Sequence, residues 1–251
     1  MSEREIKEEL KYYSALYYAK PLAEAGLLNY RNDLLNWYQI YNGVICHFHI
    51  ISAGSRFPML RHIWWIQPTY LPAILNPPAF ENKLDEYMEF SAFKSRYFHN
   101  TVEAGHFLNF PNLPQRGAEV LQEQLLPQMR QLNTREAVYI AKRKSITSDW
   151  EKLSPDTPRY VLITPEFADA ALVMNDVEMY SYCIDRLEKL AIPASLRFPP
   201  KENSIVYRST KLLEAQLKAL KGIEVEEYFE LLKARKDRFL KKYKLQDEYE
   251  L

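Results

Sequence analysis

The chain has 251 residues, which is enough for one large domain or two small ones with a proper hydrophobic core. Its 33 basic and 33 acidic side chains balance, so no overall electrostatic field draws it toward nucleic acid or anionic lipid. Hydrophobic residues make up 47% and charged residues 26% of the chain, a composition that excludes a disordered or fibrous protein. The sequence has only 6 glycines and no glycine-rich phosphate-binding motif, which argues against the nucleotide-binding folds.

Three sequence features predict a cytoplasmic protein that has no membrane contact. The charged N-terminal segment MSEREIKEEL lacks the apolar stretch of a signal peptide. No run of 18 apolar residues is present to span a bilayer. Cys46 and Cys183 lie far apart without the spacing of a zinc site, so we expect free thiols in a reducing compartment.

The first predicted element is a helix over residues 2–25, because hydrophobic residues recur there every three to four positions and Gly26 follows as a stop signal. Ser2 and Glu5 have the spacing of a capping box. The apolar face that we expect to pack on a sheet contains Tyr13, Leu16 and Tyr17.

An antiparallel sheet is predicted next. The segments 34–41 and 44–51 flank Asn42-Gly43, the pair that best supplies the two positive φ angles of a two-residue hairpin. A third strand is expected over about residues 59–67. The predicted fold class is therefore α+β, with an N-terminal helix, an antiparallel sheet of three to five strands and a helical C-terminal half packed on that sheet.

From Gln115 onward the hydrophobic period becomes helical. Thr134 is expected to begin one helix, Pro165 another, and residues 224–244 to form the last. The segment 149–158 is the best candidate for a linker because it contains two prolines and several Ser, Thr and Asp residues. We therefore divide the chain into an α+β domain, residues 1–148, and a helical region, residues 149–251, which pack together as one compact unit.

A histidine cluster is the pattern that most invites a chemical interpretation. His47 and His49 alternate on one strand and so share a face of the sheet. The hairpin arithmetic places Tyr38 opposite His47. If the turn to the third strand were a four-residue loop, residues 53–56, His62 would also lie opposite His47. Three imidazoles on one face resemble a catalytic zinc site, and the alternative interpretation is a metal-dependent hydrolase that uses His47, His49 and His62.

The competing interpretation makes these histidines ordinary half-buried residues of an aromatic sheet. No HExxH motif accompanies them, and residues 34–80 contain no Asp or Glu that could act as a general base. A third strand shifted by one residue would also turn His62 to the opposite face.

A basic segment near the C-terminus, KARKDRFLKKYK over residues 233–244, gives a second alternative, a nucleic-acid binder. The competing account is a helix with an acidic start and a basic end, which complements its own dipole. This account disfavours nucleic acid as a partner. The cations that a nucleic-acid backbone would contact are Lys233, Arg235, Lys236, Arg238, Lys241 and Lys242.

Aromatic side chains supply the leading functional hypothesis. Tyr38, Trp64 and Trp65 are candidate binding residues, because tyrosine and tryptophan are favoured in protein interfaces. Trp64 and Trp65 face opposite sides of their strand, so the sheet is expected to be covered on both faces. One cover is the first helix; the other is the C-terminal helices or a partner protein.

The order of elements resembles a bacterial family. A first helix, the hairpin segment LLNWYQIYNGVICHFHII, a strand ending in IWWIQP and the helical segment AEVLQEQLLPQMRQLNTREA look like small bacterial α+β domains of unknown function, some of which are immunity proteins that neutralise contact-delivered toxins. The resemblance covers about residues 5–145 and implies binding rather than catalysis. Together with the absence of a catalytic motif, it predicts a non-enzymatic protein-binding module, immunity-like or regulatory, with no required cofactor.

Overall fold

The computed structural model describes residues 2–53, 59–70, 112–151, 165–186, 188, 217–218, 221–222 and 224–251. Within these ranges, helices lie before and after a four-stranded antiparallel sheet. This arrangement confirms the predicted α+β class, the N-terminal helix and the helical C-terminal half.

The N-terminal helix is continuous but not uniform. Helix α1 covers Glu3–Tyr13, a π-helical turn follows over Ser14–Tyr18, and α2 covers Ala19–Glu24. The capping box is present, since the Ser2 hydroxyl accepts from the Glu5 amide and the Glu5 carboxylate accepts from the Ser2 amide.

The π turn explains how this helix accommodates Pro21, which has no amide hydrogen to donate to the carbonyl of Tyr17. The wider turn includes Tyr17 and carries the chain past the proline without a break. It also changes the helical phase. Leu16, which the regular period placed inward, is 55% exposed, while Tyr18 is buried. The predicted inward position of Leu16 is therefore wrong.

The sheet has the order β1-β2-β3-β4. Its strands are Leu28–Asn29 (β1), Asn36–Tyr41 (β2), Val44–Ala53 (β3) and Met59–Pro68 (β4). Tyr41 pairs with Val44 across the predicted Asn42-Gly43 turn, and both turn residues have positive φ. The hairpin, its register and the approximate span of the third predicted strand are confirmed.

The register between β3 and β4 differs from the one that brought three histidines together. Ala53 pairs with Met59, and His62 pairs with Ile50. The ladder thus includes Ala53, and the connection is the segment 54–58 rather than 53–56. Because the shift is an odd number of residues, His62 lies on the face opposite His47 and His49.

The described C-terminal elements are helical. They comprise α3 (Leu113–Val120), a π turn (Leu121–Leu125), α4 (Leu126–Gln131), α5 (Arg135–Glu151), α6 (Pro165–Val173), α7 (Val177–Arg186) and α8 (Val225–Tyr243). The second π turn accommodates Pro127 as the first accommodates Pro21. It includes Glu123, four residues before Pro127, whose carbonyl cannot accept a hydrogen bond from the proline. Thr134 caps α5 through its hydroxyl, which accepts from the Ala137 amide at 3.1 Å. The structure confirms the predicted starts of two helices, at Thr134 and at Pro165, and it confirms the predicted C-terminal helix.

Helices pack on both faces of the sheet. On one face, Val44, Cys46, Phe48 and Ile50 join the main core with the N-terminal helix. On the other face, Ile45 packs with the end of α8 in a second cluster whose further buried members are Phe239, Leu240, Tyr243 and Leu245. The expected double cover is present, and the C-terminal helix forms part of it. None of the helices in the described residues is long and apolar enough to cross a membrane.

Candidate functional site

The predicted histidine cluster divides between the two faces of the sheet. His47 is buried, and a hydrogen bond of 3.2 Å joins its Nε2 to Oδ1 of Asn36. The rings of His47 and His49 lie 6.1 Å apart. Both face away from His62, so the geometric condition for a three-histidine site is not met.

His62 has a separate environment within the core. Its Nε2 lies 2.8 Å from the hydroxyl of Tyr18, and its ring packs edge-on against the Tyr18 ring and close to Phe48. Burial lowers the pKa of His62 to about 3, so the imidazole is neutral at physiological pH. Burial also raises the pKa of Tyr18. The pair is an uncharged hydrogen bond inside the core.

The part of the chain that the structure describes contains no group of side chains placed to bind a metal ion. There, no three His, Cys, Asp or Glu side chains are arranged to hold an ion. Cys46 and Cys183 are free and buried, and burial raises the pKa of both thiols, that of Cys183 to about 12. Both thiols are therefore protonated and suited to packing.

The aromatic candidates have different positions. Tyr38 is half-buried, packs against the second core cluster and meets the Tyr30 ring edge-on at 5.9 Å. Trp64 pairs with Phe48 and Trp65 with His47 in the β3–β4 ladder; their side chains lie outside the described part of the molecule. Tyr38 thus helps to hold α8 on the sheet.

The basic C-terminal segment does not present all its cations to solvent. Arg235 and Lys236 are buried on α8, whereas Lys233, Arg238 and Lys241 are exposed. Two of the six side chains proposed for a nucleic-acid backbone are therefore used inside the protein. This burial is the feature that sequence analysis missed most clearly.

Arg235 forms a buried ion pair that joins α8 to α6. Its Nη1 donates to Asp169 Oδ2 at 2.9 Å, and the Tyr228 hydroxyl donates to Asp169 Oδ1 at 2.5 Å. Burial raises the pKa of Asp169, while Arg235 and Tyr228 act in the opposite direction. The carboxylate is fully enclosed, so its two partners are its only compensation among the described residues.

A second group of buried charges holds the C-terminal tail, residues 245–251. Lys236 lies 3.4 Å from Asp247 and also donates to the Tyr249 carbonyl. Thr69 donates to the same carboxylate at 2.8 Å. The tail is thereby fixed to the end of β4 and to α8.

Arg135, at the start of α5, contacts the tail from the other side. Its Nε donates to the Gly43 carbonyl at 3.4 Å and its Nη1 to the Glu250 carbonyl at 3.0 Å. The guanidinium contacts the rings of both Tyr70 and Tyr249, at 5.1 and 4.5 Å from their centroids. Burial lowers the pKa of Arg135, yet its aromatic neighbours favour the cation.

The two groups adjoin on α8, where Arg235 and Lys236 are consecutive residues, and Arg135 also interacts electrostatically with Asp247. We refer to them together as the buried charge cluster. Its charged members are Arg135, Asp169, Arg235, Lys236 and Asp247. No sequence motif predicts the buried charge cluster, because its five charged residues come from four separate segments of the chain. The only sequence signal is that Arg235 and Lys236 adjoin the apolar positions of their helix.

The outer side of α1 carries a different type of feature, which we call the α1 patch. Tyr12 is 61% exposed, and Leu16, in the π turn that directly follows α1, is also exposed. A shallow surface depression adjoins Tyr12; its lining residues are Ser2, Arg4, Glu5, Glu8, Glu9 and Tyr12. Three glutamates and one arginine therefore line the same depression as an exposed aromatic residue.

Comparison with known proteins returned no match among protein-family models, curated proteins or solved structures.

Proposed function

We propose that this protein is a non-enzymatic protein-binding module that recognises a basic segment of a partner protein through the α1 patch. The observation that carries the proposal is the pairing of exposed apolar side chains with an excess of carboxylates on one side of α1. The resemblance to immunity-like domains agrees with a binding role, and in that case the partner is a toxin.

The apolar part of the α1 patch supplies the anchor. Tyr12 stands four residues before Leu16, so their side chains are neighbours on the helix surface. The Tyr12 ring meets the half-buried Tyr13 ring edge-on at 5.5 Å, which restricts its motion. A rigid tyrosine beside an aliphatic side chain is the kind of residue pair that contributes most to protein interfaces.

The charged part determines the chemistry of the partner. The depression has a formal excess of two negative charges, from three glutamates and one arginine. Its carboxylates already have local contacts: Glu5 caps the helix and Glu8 pairs with Lys11 at 2.9 Å. Such an exposed pair is weak, so an incoming cation can replace Lys11. A Lys or Arg of the partner can then rest its stem on Tyr12 and its charge among the carboxylates.

Selection from a random displayed peptide library tests this proposal even though the partner is unidentified. We expect enrichment of sequences that combine Lys or Arg with an apolar residue. Their affinity for the protein should fall at least tenfold in Tyr12→Ala and in Glu8→Lys, and should weaken with added salt.

Val177→Ala is the matched control, because Val177 is 66% exposed on α7 and lies outside the α1 patch. This variant should bind the selected peptides as the wild type does. Enrichment of sequences without cations, or equal affinity for Tyr12→Ala and the wild type, would contradict the proposal.

A further inference from the structure

Every second side chain of the C-terminal tail is held by the rest of the molecule. Leu245 is buried in the second core cluster, and Leu251 packs against the main core. Between them, the Asp247 side chain is 2% exposed, and the Tyr249 ring lies on the guanidinium of Arg135. The intervening side chains are all exposed: Gln246, Glu248 and Glu250. Segments of partner proteins are commonly recognised in this way, with alternate side chains bound and the others left in solvent.

The residues that hold the middle of the tail come from three separate parts of the chain, and we call them the tail site: Thr69, Arg135 and Lys236. Two of them bind the main chain of the tail. Lys236 donates to the Tyr249 carbonyl. Arg135 donates to the Glu250 carbonyl at 3.0 Å. Every peptide has such carbonyl groups, so these two contacts do not depend on the sequence of the tail.

The other contacts of the tail site depend on that sequence. The Asp247 carboxylate accepts from the Thr69 hydroxyl at 2.8 Å and lies 3.4 Å from the Lys236 ammonium. The guanidinium of Arg135 lies over the Tyr249 ring, 4.5 Å from its centroid. The tail site therefore selects a carboxylate that is followed, two positions later, by an aromatic ring.

The tail is attached in a way that allows it to leave this site. Among the described residues, no backbone hydrogen bond joins residues 246–251 to another segment. Helix α8 ends at Tyr243, and Lys244 after it has a left-handed backbone conformation with a φ of +55°. The tail can therefore detach beyond this point without the loss of a helical turn or a strand pair. Arg135 and Lys236 would then regain the hydration that burial denies them.

We propose that the tail is an internal ligand of the tail site, and that the site accepts in its place an acidic segment of a partner protein with the pattern apolar-x-Asp-x-Tyr. Charge favours this class of segment, because the tail has three acidic residues and no basic one, whereas the tail site contains two cations. The tail site shares no residue with the α1 patch, so this inference does not depend on the function proposed above.

Binding of a labelled peptide with the tail sequence LQDEYEL tests the proposal in the full chain. Fluorescence anisotropy gives the Kd for the wild type and for the variant Asp247→Ala/Tyr249→Ala, whose own tail lacks both sequence-dependent contacts. We expect the variant to bind the peptide at least tenfold more tightly, because the attached tail of the wild type competes at an effective concentration on the order of millimolar. The peptide should also raise the Tm of the variant more than that of the wild type.

Tyr249→Ala alone provides a milder variant, since the ring is 46% exposed and the buried Asp247 side chain is retained. It replaces the double variant if that protein does not fold, and we expect it to bind the peptide at least threefold more tightly than the wild type does.

Matched controls assign the binding to the tail site. A peptide that carries both Asp247→Asn and Tyr249→Ala should bind the tail variant at least tenfold more weakly, whereas a Glu248→Gln peptide, changed at an exposed position, should bind within twofold of the parent peptide. In the protein, Thr69→Val should weaken binding at least threefold. Arg238→Gln, which removes an exposed cation of α8, should change the Kd by less than twofold.

The proposal is overturned if neither tail variant binds the peptide up to about 1 mM, the effective concentration of a short attached segment, or if the doubly substituted peptide binds as well as the parent. It is also overturned if the wild-type chain sediments as a dimer that the peptide converts to a monomer, because the occupant would then be a second copy of the chain rather than a partner protein.

Discussion

His62 shows at the scale of one residue how burial fixes a protonation state. The imidazole is enclosed by Tyr18 and Phe48, and burial lowers its pKa from 6.5 to about 3. Above pH 6.5 the imidazole is neutral in both the folded and the unfolded chain. Burying it there carries no cost of deprotonation, so the free energy of unfolding has its full value. As the pH falls toward 3, the unfolded chain binds a proton that the folded protein does not, and the folded state loses stability.

His62→Phe should therefore reduce the acid sensitivity of the protein. Between pH 7.5 and pH 5, the free energy of unfolding of the wild type should fall by about 2 kcal/mol more than that of His62→Phe, since one pKa unit corresponds to about 1.4 kcal/mol. Urea unfolding at both pH values measures the difference. Tyr18→Phe, which retains the buried imidazole, should keep the wild-type pH dependence; equal pH dependence of His62→Phe and the wild type would contradict the prediction.

Gly43 is restricted both by its backbone and by its surroundings. Its φ is +68°, and an added Cβ would lie 2.6 Å from Tyr249 Cδ1 and closer still to Arg135 Nε. Gly43→Ala should lower the free energy of unfolding by about 2 kcal/mol, because an L side chain is strained there and would displace the tail. Gly222→Ala is the control, since nothing lies within 4 Å of the Cβ that alanine would add there; it should be neutral or stabilising. If Gly43→Ala left the free energy of unfolding unchanged, the tail would move aside with no loss of stability, and the prediction would be contradicted.

At the scale of elements, local sequence signals predicted most of the described fold. The Asn42-Gly43 turn fixes its hairpin register through only two residues, and the capping box at Ser2 lies within one turn of helix. Such signals are complete within a short segment. For this reason the helix starts and the pairing of β2 with β3 could be derived from the sequence alone.

The errors arose where the outcome depends on contacts distant in sequence. The β3–β4 register depends on how the whole ladder packs, so residue spacing could not place His62. Likewise, a regular 3.6-residue period cannot show the π turn that exposes Leu16. The burial of Arg235 requires Asp169, 66 residues away. The candidate sites were less predictable than the fold for the same reason.

The ion pair between Asp169 and Arg235 joins two helices, and its coupling can be measured. Arg235→Met or Asp169→Leu alone should each cost about 3 to 5 kcal/mol, because each leaves a buried charged group without its partner. The double variant should be less destabilised than the sum of the two, since it leaves neither charge. Urea unfolding of all four proteins gives the coupling energy. Arg238→Met, on the exposed side of α8, should change stability by less than about 0.5 kcal/mol; strictly additive single effects would contradict the pairing.

At the scale of the whole molecule, the C-terminal tail connects segments from both predicted parts of the chain. Asp247 accepts from Thr69 at the end of the sheet and pairs with Lys236 of α8. Arg135, before the predicted boundary at residue 148, donates to the Glu250 carbonyl. These contacts favour the prediction that residues 1–148 and 149–251 unfold as one unit.

Unfolding of the wild type should accordingly give coincident transitions by tryptophan fluorescence and by far-ultraviolet circular dichroism, which reports on the helices. Three of the four tryptophans lie within residues 37–65, and the fourth is Trp150. Asp247→Asn should lower both midpoints together, at a cost of about 2 to 3 kcal/mol, because Lys236 loses its buried carboxylate. Glu248→Gln changes the neighbouring, exposed acid and should cost less than about 0.5 kcal/mol. If the two probes separated in the wild type, or if Asp247→Asn moved only the circular dichroism transition, the two parts of the chain would be independent domains and the tail would stabilise only the second.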